Sequence, residues 1–573
     1  MSERSVKVRT VFSAVVMSVV MSLLLARLVY LHMIVSDTVR EKFDRKRTIE
    51  KKITAERGRI FDCRGSENIL ALNLELKNLC VDPDSLIRSN KLSSAAEDLA
   101  TVLGTDSSIL ASAMNKPGKS YVCVMKGLSD ENAEKIRDKK IPGVFFEKAN
   151  VRNYPHNSLM CHVLGFVNYD GIGSLGIEQQ FNSKLNGEDG ILKTSVDARR
   201  VEVFLQREKY RPAVSGNDVY LTIDQNIQFC VEQALDDLYA QHSAKGAWVI
   251  VQRVKTGEIL AMASRPYFDP NMYTSASDEQ RRNRPISYNY EPGSTFKVIA
   301  IAAALQEGTV TPNTMFDCEN GAWSFKGRRL RDYHAYSCLS VADGLQKSSN
   351  ILTAKVALTL GDKMLYKYLK LFGIGERTGI DIPGEEGGML SDYTKWTGIS
   401  ISRISIGQGV MVTALQQLSV YNTIANDGMV VRPHLVSKVV APNGQVVYQA
   451  ATKEVRQALK PETAQLMKRL LSRVTEEGGT GLKAGVKGFD IAGKTGTAQK
   501  VINGKYSETA YTASFVGFLP AAEPEVSMIV VVDEPQPIHT GGQVAAPAFG
   551  KIANQLVKYL EIIPDSPTVA KAE

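Results

Sequence analysis

The feature that most restricts this chain lies near its beginning. Arg4, Lys7 and Arg9 precede an apolar run over residues 11–26, which is broken by Arg27 and resumes over residues 28–35. About 25 apolar positions are enough to cross a bilayer, and a segment in lipid must satisfy its own backbone hydrogen bonds, so it has to be a helix. A cleaved signal peptide is the competing reading. The apolar part is too long for a signal core and shows no small-residue cleavage site before the charged stretch 40–52, so it reads as an uncleaved single-pass anchor. Positive charge on both flanks leaves the charge rule undecided, but a large domain is generally translocated whatever its charge. That makes residues 1–10 a cytoplasmic tail, residues 11–35 the span of an inner (cytoplasmic) membrane protein, and the remainder extracytoplasmic. Arg27 snorkels or faces a partner helix.

The 573 residues exceed one typical domain, and 44% hydrophobic with 23% charged residues describes folded protein. A net charge of +8 comes with no nucleic-acid-binding motif, and we assign it to the membrane flank; nucleic acid is not an expected partner. The histidines and cysteines form no cluster with zinc spacing, so neither a metal nor another cofactor is expected.

The chemistry concentrates in Glu291-Pro292-Gly293-Ser294-Thr295-Phe296-Lys297. A helix is expected over 296–307, with Pro292 and Gly293 before it and Gly308 as its stop. Positions i and i+3 share a helix face, so the Lys297 amine can approach the Ser294 hydroxyl, and the free N–H groups of the first turn favour negative charge there. Alone, S-x-x-K is a weak signal, and a capping serine beside a solvated lysine explains it as well. Two further motifs follow in order, Ser348-Ser349-Asn350 and Lys494-Thr495-Gly496-Thr497, and the triplet is strong. With it the chain resembles the penicillin-recognising serine acyltransferases.

Earlier residues sharpen the likeness. Glu56-Arg57-Gly58-Arg59, Arg152-Asn153-Tyr154-Pro155, His162-Val163-Leu164-Gly165 and Gly173-Ser174-Leu175-Gly176-Ile177-Glu178 read chemically as turns closed by a buried ion pair. Their order is similar to the non-catalytic pedestal of class B penicillin-binding proteins, where such motifs pack that domain on the catalytic one. Cys63 departs from the family, which usually carries Arg there. The expected organisation is a mixed α/β pedestal of the dimerisation type over residues 36–215, a catalytic domain over 216–563 and a flexible tail over 564–573.

The catalytic domain should be α+β, an antiparallel sheet flanked by helices. Its elements are read as a strand at 219–224, a helix at 225–238, paired strands at 247–254 and 258–263, strands at 489–491, 512–519 and 526–532, and a helix at 548–559.

From the chemistry, Ser294 is the nucleophile and Lys297, if desolvated, its general base. Ser348 can relay a proton, and the Asn350 amide can hold Lys297 and the substrate backbone. Lys494 offers a positive charge, and Thr495 and Thr497, spaced by Gly496, can donate hydroxyls to a carboxylate. The resemblance adds an oxyanion hole from the backbone N–H groups of Ser294 and Thr497. It also implies a peptidoglycan D,D-transpeptidase that takes the D-Ala-D-Ala end of one stem peptide and passes the acyl group to an amine on its neighbour. β-Lactams would acylate Ser294 as substrate mimics.

Family likeness at Arg282-Asn283-Arg284, Ser405-Ile406-Gly407-Gln408-Gly409 with Thr413, Asn426-Asp427-Gly428 and Gly541-Gly542 points to the division-specific, septal kind. Its partners would be a membrane glycan polymerase and other division proteins. An elongation-type transpeptidase, a D,D-carboxypeptidase, a β-lactamase and a β-lactam-binding scaffold or sensor are the alternatives. Seven cysteines are present. Cys318 and Cys338 flank a hairpin-like segment, 319–337, and either form a disulfide or remain inert thiols.

Overall fold

The computed structural model describes residues 3–35, 48–196 and 202–564. The basic residues at 40–47 and all of the expected tail except Pro564 lie outside them. The chain divides into two compact units, residues 1–57 with 186–216, and residues 58–185 with 217–573.

In the first unit the helix Glu3–Tyr30 passes into a π-helical turn, Leu31–Val35. Its stretch Arg4–Met33 has a mean hydropathy of 2.2 and is unburied, as a single membrane span requires. The unit also holds a three-stranded antiparallel sheet with Gly190–Val196 in the middle, paired to Thr48–Ile53 and Glu202–Arg211. Asp189 ties this region together. It accepts from the Ala55 N–H at 2.8 Å and pairs with Lys52 at 2.6 Å.

The second unit is built on a five-stranded antiparallel sheet in the order Ile259–Arg265, Gly246–Arg253, Val526–Asp533, Lys505–Leu519, Ala492–Ile502. Its central strands are buried on both faces, and alternate residues feed two separate cores. Trp248, Ile250, Val516, Phe518, Ile529 and Val531 join one core with the apolar helices Lys297–Gln306 and Ala414–Ala425. Val249, Val251, Phe515, Met528, Val530 and Val532 join the other with the helices Gln225–Gln241 and Gly541–Tyr559. Helix, sheet and helix therefore stack in three layers, as expected for the α+β class.

Several elements differ from the sequence reading: residues 489–491 form no strand, the strand there beginning at Ala492, and the strand expected from 512 begins at Lys505. The last helix begins at Gly541, seven residues before the expected start, and keeps Pro547 inside it. One lost hydrogen bond is outweighed there by burial of Val544, Ala545 and Ala546. The strand Asp218–Leu221 does not join the five-stranded sheet. It pairs in parallel with Ile60–Phe61 and antiparallel with Val436–Val440, in a seven-stranded sheet that also contains Ile69–Val81, Val122–Leu128 and Val144–Asn153.

The expected buried ion pair is Arg152 with Glu178, 2.7 Å apart and almost wholly enclosed. Arg152 also donates to the Gly58 carbonyl at 2.8 Å, and the Tyr154 hydroxyl donates to Glu178 at 3.3 Å. The motif around His162 meets the residues ahead of Ser294. His162 Nε2 lies 2.7 Å from the Gln280 carbonyl, and the Asn283 amide donates to the His162 carbonyl at 3.4 Å. Burial pushes His162 down to about 4, so it is a neutral packing group.

Candidate active site

Ser294 lies in a 3₁₀ turn, Gly293–Phe296, that feeds the α-helix Lys297–Gln306, and Gly308 ends that helix with a φ of +68°. The turn is held by bonds to its backbone. Thr295 Oγ1 donates to the Pro292 carbonyl at 2.8 Å, while the Thr295 carbonyl accepts from Gln417 Nε2 at 3.0 Å and the Tyr421 hydroxyl at 2.7 Å. Both donors come from the helix Ala414–Ala425, which Thr413 caps with a capping box. Ser294 itself is half-buried, and its hydroxyl has no hydrogen-bond partner among the described residues. The turn is fixed while the hydroxyl it carries is unengaged.

Gly407 closes the turn from the other side, accepting from the Gly293 N–H at 3.2 Å. Its φ is +79°, and a Cβ there would sit 2.3 Å from the Gly293 carbonyl oxygen. Gly407→Ala should cost about 2–4 kcal/mol and slow β-lactam acylation more than about tenfold, because the turn carrying Ser294 is displaced. Thermal unfolding and an acylation time course check this; unchanged acylation would separate Gly407 from the placement of Ser294.

The Lys297 side chain is fully buried. Its Nζ donates to the Ser348 carbonyl at 2.6 Å and to Ser348 Oγ at 3.2 Å. Ser348 adopts a left-handed φ of +61°, uncommon for a residue with a Cβ. Ser349 caps the next helix, Asn350–Leu360, through its hydroxyl. Asn350 departs from its expected contact. Its amide donates to the Arg331 carbonyl at 2.7 Å, and Lys297 finds Ser348 instead, because Asn350 is locked as the first residue of that helix. Asp332 organises the motif: it accepts from Ser349 Oγ at 2.7 Å, from the Ile351 N–H at 3.1 Å and from the Asn350 N–H.

Lys494, Thr495, Gly496 and Thr497 lie on the strand Ala492–Ile502, an edge of the five-stranded sheet paired only with Lys505–Leu519. Lys494 is fully buried, with Nζ 3.2 Å from the Thr495 carbonyl and 3.4 Å from its hydroxyl. A Cβ at Gly496 would lie 2.3 Å from Ser514 Oγ and 2.9 Å from Thr295 Cγ2, so a glycine here lets the strand lie against the nucleophile turn. Thr495 Oγ1 is 2.8 Å from Thr480 Oγ1, and Thr497 Oγ1 accepts from the Gly541 N–H at 3.1 Å. The three motifs, separate in sequence, thus meet at one cleft.

The cleft holds two buried amines. Burial pushes Lys297 down to about 7, and Asp332 partly opposes this. Burial and the adjacent charge of Lys297 push Lys494 well below the ordinary lysine value. A partly neutral amine beside a hydroxyl is a base able to remove a proton at neutral pH. Asp332, Gln417, Tyr421 and Thr480 were not singled out from the sequence, since each acts across 15 to 126 positions and carries no local pattern.

At the position that departs from the family, the Cys63 thiol lies 3.7 Å from Asp224 Oδ2, and burial with Asp224 pushes it up to about 12. The next residue, Arg64, supplies the guanidinium, pairing with Asp224 at 3.4 Å and reaching the Tyr559 hydroxyl. The disulfide considered for Cys318 and Cys338 is absent, and both are free thiols. The register sets Cys338 opposite Asp317, while the Cys318 sulfur turns inward, 3.8 Å from Ser349 Oγ.

Residues 247–554 match the penicillin-binding protein transpeptidase domain, and residues 52–221 match the penicillin-binding protein dimerisation domain. The chain is 33% identical over 568 residues to the probable peptidoglycan D,D-transpeptidase PenA of Neisseria gonorrhoeae, covering 98% of this chain and 95% of that one. It is 30% identical over 557 residues to the peptidoglycan D,D-transpeptidase FtsI of Escherichia coli K12, covering 96% and 91%. The solved structure of penicillin-binding protein 3 of Mycobacterium tuberculosis complexed with aztreonam matches with a TM-score of 0.71 at 28% identity, over 91% of this chain and 100% of that one. With both domains following an apolar N-terminal helix and the three motifs gathered in one cleft, this chain belongs to the class B penicillin-binding proteins.

Proposed function

We propose that this protein cross-links peptidoglycan stem peptides at the division septum, with Ser294 as the nucleophile and the buried amine of Lys297 as its base. A D-Ala-D-Ala transpeptidase is what its family membership makes it, and it is a single-pass membrane protein. The observation that carries the residue roles is the Lys297 amine, held near neutrality three positions from a hydroxyl without a partner.

Lys297 takes the Ser294 proton as the oxygen attacks the carbonyl of the penultimate D-Ala. The oxyanion forms between the N–H groups of Ser294 and Thr497, each contributing about 3–4 kcal/mol. Collapse expels the terminal D-Ala, whose amine collects a proton through Ser348, and the acyl group stays on Ser294 as an ester. Lys494, Thr495 and Thr497, with Gly496 allowing close approach, receive the terminal carboxylate; Asn350 positions the substrate backbone. The neighbouring stem's amine then attacks the ester, loses its proton through the same relay and frees Ser294. A β-lactam follows the first half of this path and stays attached.

The pedestal at 36–215 and the catalytic domain at 216–563 lie outside the membrane, the N-terminus in the cytoplasm, and a membrane glycan polymerase with other division proteins supplies nascent strands. Anchoring raises the effective concentration of one enzyme for the other's product. Exchanging residues 8–36 for an unrelated membrane helix should leave penicillin labelling unchanged and reduce septal localisation. Depletion should give cells that lengthen without completing septa; rounded cells that still divide would favour an elongation role.

A further inference from the structure

Residues 79–136 have a small core of their own. Leu79 and Val81 pack with Leu86, Ala95, Leu99, Leu110 and Met114, and the cluster holds eleven buried apolar residues in all. A core of this size gives little stability without a covalent or metal staple. The residues between positions 80 and 123 form three helices, Pro83–Arg88, Leu92–Leu103 and Ser107–Met114, so this stretch is one long excursion between two strands of the same sheet.

Cys80 and Cys123 stand at the base of that excursion as direct partners in the antiparallel pairing of Ile69–Val81 with Val122–Leu128. Directly opposed residues have Cα atoms about 4.5 or 5.5 Å apart and project to the same face, inside the span that a disulfide bridges. Both thiols lie on the face opposite the small core, next to Tyr121, whose hydroxyl is 3.6 Å from the Cys80 sulfur and donates to Glu147 at 2.9 Å. Cys80 is covered and Cys123 is half-exposed. In the structure both are free.

We propose that Cys80 and Cys123 form a cross-strand disulfide in the cell, stapling the excursion that carries this small core; this rests on the extracytoplasmic placement proposed above. The oxidant is a disulfide-bearing oxidoreductase. The Cys123 thiolate attacks one sulfur of its disulfide and releases the first oxidant thiolate. The Cys80 thiolate then attacks the Cys123 sulfur and releases the second. Two electrons pass to the oxidant, which leaves as a dithiol, and the two thiol protons go to solvent or to the departing thiolates. Burial pushes the Cys80 thiol up to about 11, so closure belongs to folding, before the site is covered.

The test uses the full-length protein, alkylated at lysis and extracted from membranes without reductant. Non-reducing peptide mapping should find residues 80 and 123 joined, two hydrogens lighter than the thiol pair, with Cys63, Cys161, Cys230, Cys318 and Cys338 alkylated. Reduction should speed amide exchange over 83–114 on the order of a hundredfold while penicillin labelling stays the same, and Cys123→Ser should exchange at the fast rate with or without reductant. Alkylation of both Cys80 and Cys123 in the isolated protein overturns the bridge. Oxidised glutathione then tells which premise failed: closure in vitro faults the compartment, and no closure faults the geometry.

Discussion

Ser294→Ala should abolish covalent β-lactam labelling and leave the fold as it is. With Ser294 as the proposed nucleophile, its hydroxyl forms the ester, so acylation should fall by at least about 10⁴-fold. The fold should lose at most about 1 kcal/mol, because the Ser294 side chain is half-buried and bonds to no described group, while the turn is held through the Thr295 carbonyl by Gln417 and Tyr421. Fluorescent penicillin labelling with mass spectrometry of the modified peptide checks the first part, and a thermal melt the second. A variant that labels as well as the wild type places the nucleophile elsewhere.

Lys297→Met should slow acylation by about 10²–10⁴-fold and make the protein more stable at neutral pH. The stability sign follows from linkage. In the unfolded chain the amine keeps its proton to the ordinary lysine value, and in the fold it holds it only to about 7. Between these values the unfolded state binds more protons, so the amine destabilises the fold fully below about pH 7, and the penalty fades as pH rises to the unfolded value. Methionine removes the penalty but leaves the Ser348 carbonyl without its donor, so a net gain of about 1–3 kcal/mol is expected. Wild-type acylation should rise about tenfold per pH unit up to about pH 7 and then level off, as the neutral amine accumulates. Denaturant melts at pH 7 and stopped-flow acylation across pH 5–9 measure both. A flat profile below pH 7 would show that another group removes the proton.

Much of this site was readable because its parts are local. The turn that carries Ser294 into the helix of Lys297, the helix stop at Gly308 and the β-branched strands of the sheet depend on residues a few positions apart. What escaped depends on folding across long separations. Asp332 organises Ser349 and Asn350 from a loop 17 and 18 positions away, and Asn350 spends its amide on Arg331 rather than on Lys297. The strand Asp218–Leu221 looked like the opening strand of the catalytic sheet, and its pairing with Ile60–Phe61 follows from tertiary burial of Val219 and Leu221. The last helix starts earlier than its local sequence indicates, because contact with the sheet buries its first turns and holds Pro547 inside it. The cysteines show the same limit: hairpin flanks drew attention to Cys318 and Cys338, whereas strand register sets Cys80 opposite Cys123.

Acyl transfer from D-Ala-D-Ala to an amine through Ser294 can be followed with a defined donor and acceptor. Purified full-length protein is incubated with a synthetic stem peptide ending in D-Ala-D-Ala and a second peptide bearing a free side-chain amine, and the products are weighed by mass spectrometry. One D-Ala should be released for each donor–acceptor amide formed, and both products should be lost in Ser294→Ala or after penicillin treatment. D-Ala release with hydrolysed donor and no amide product, or amide formation that survives Ser294→Ala, would contradict acyl transfer through Ser294.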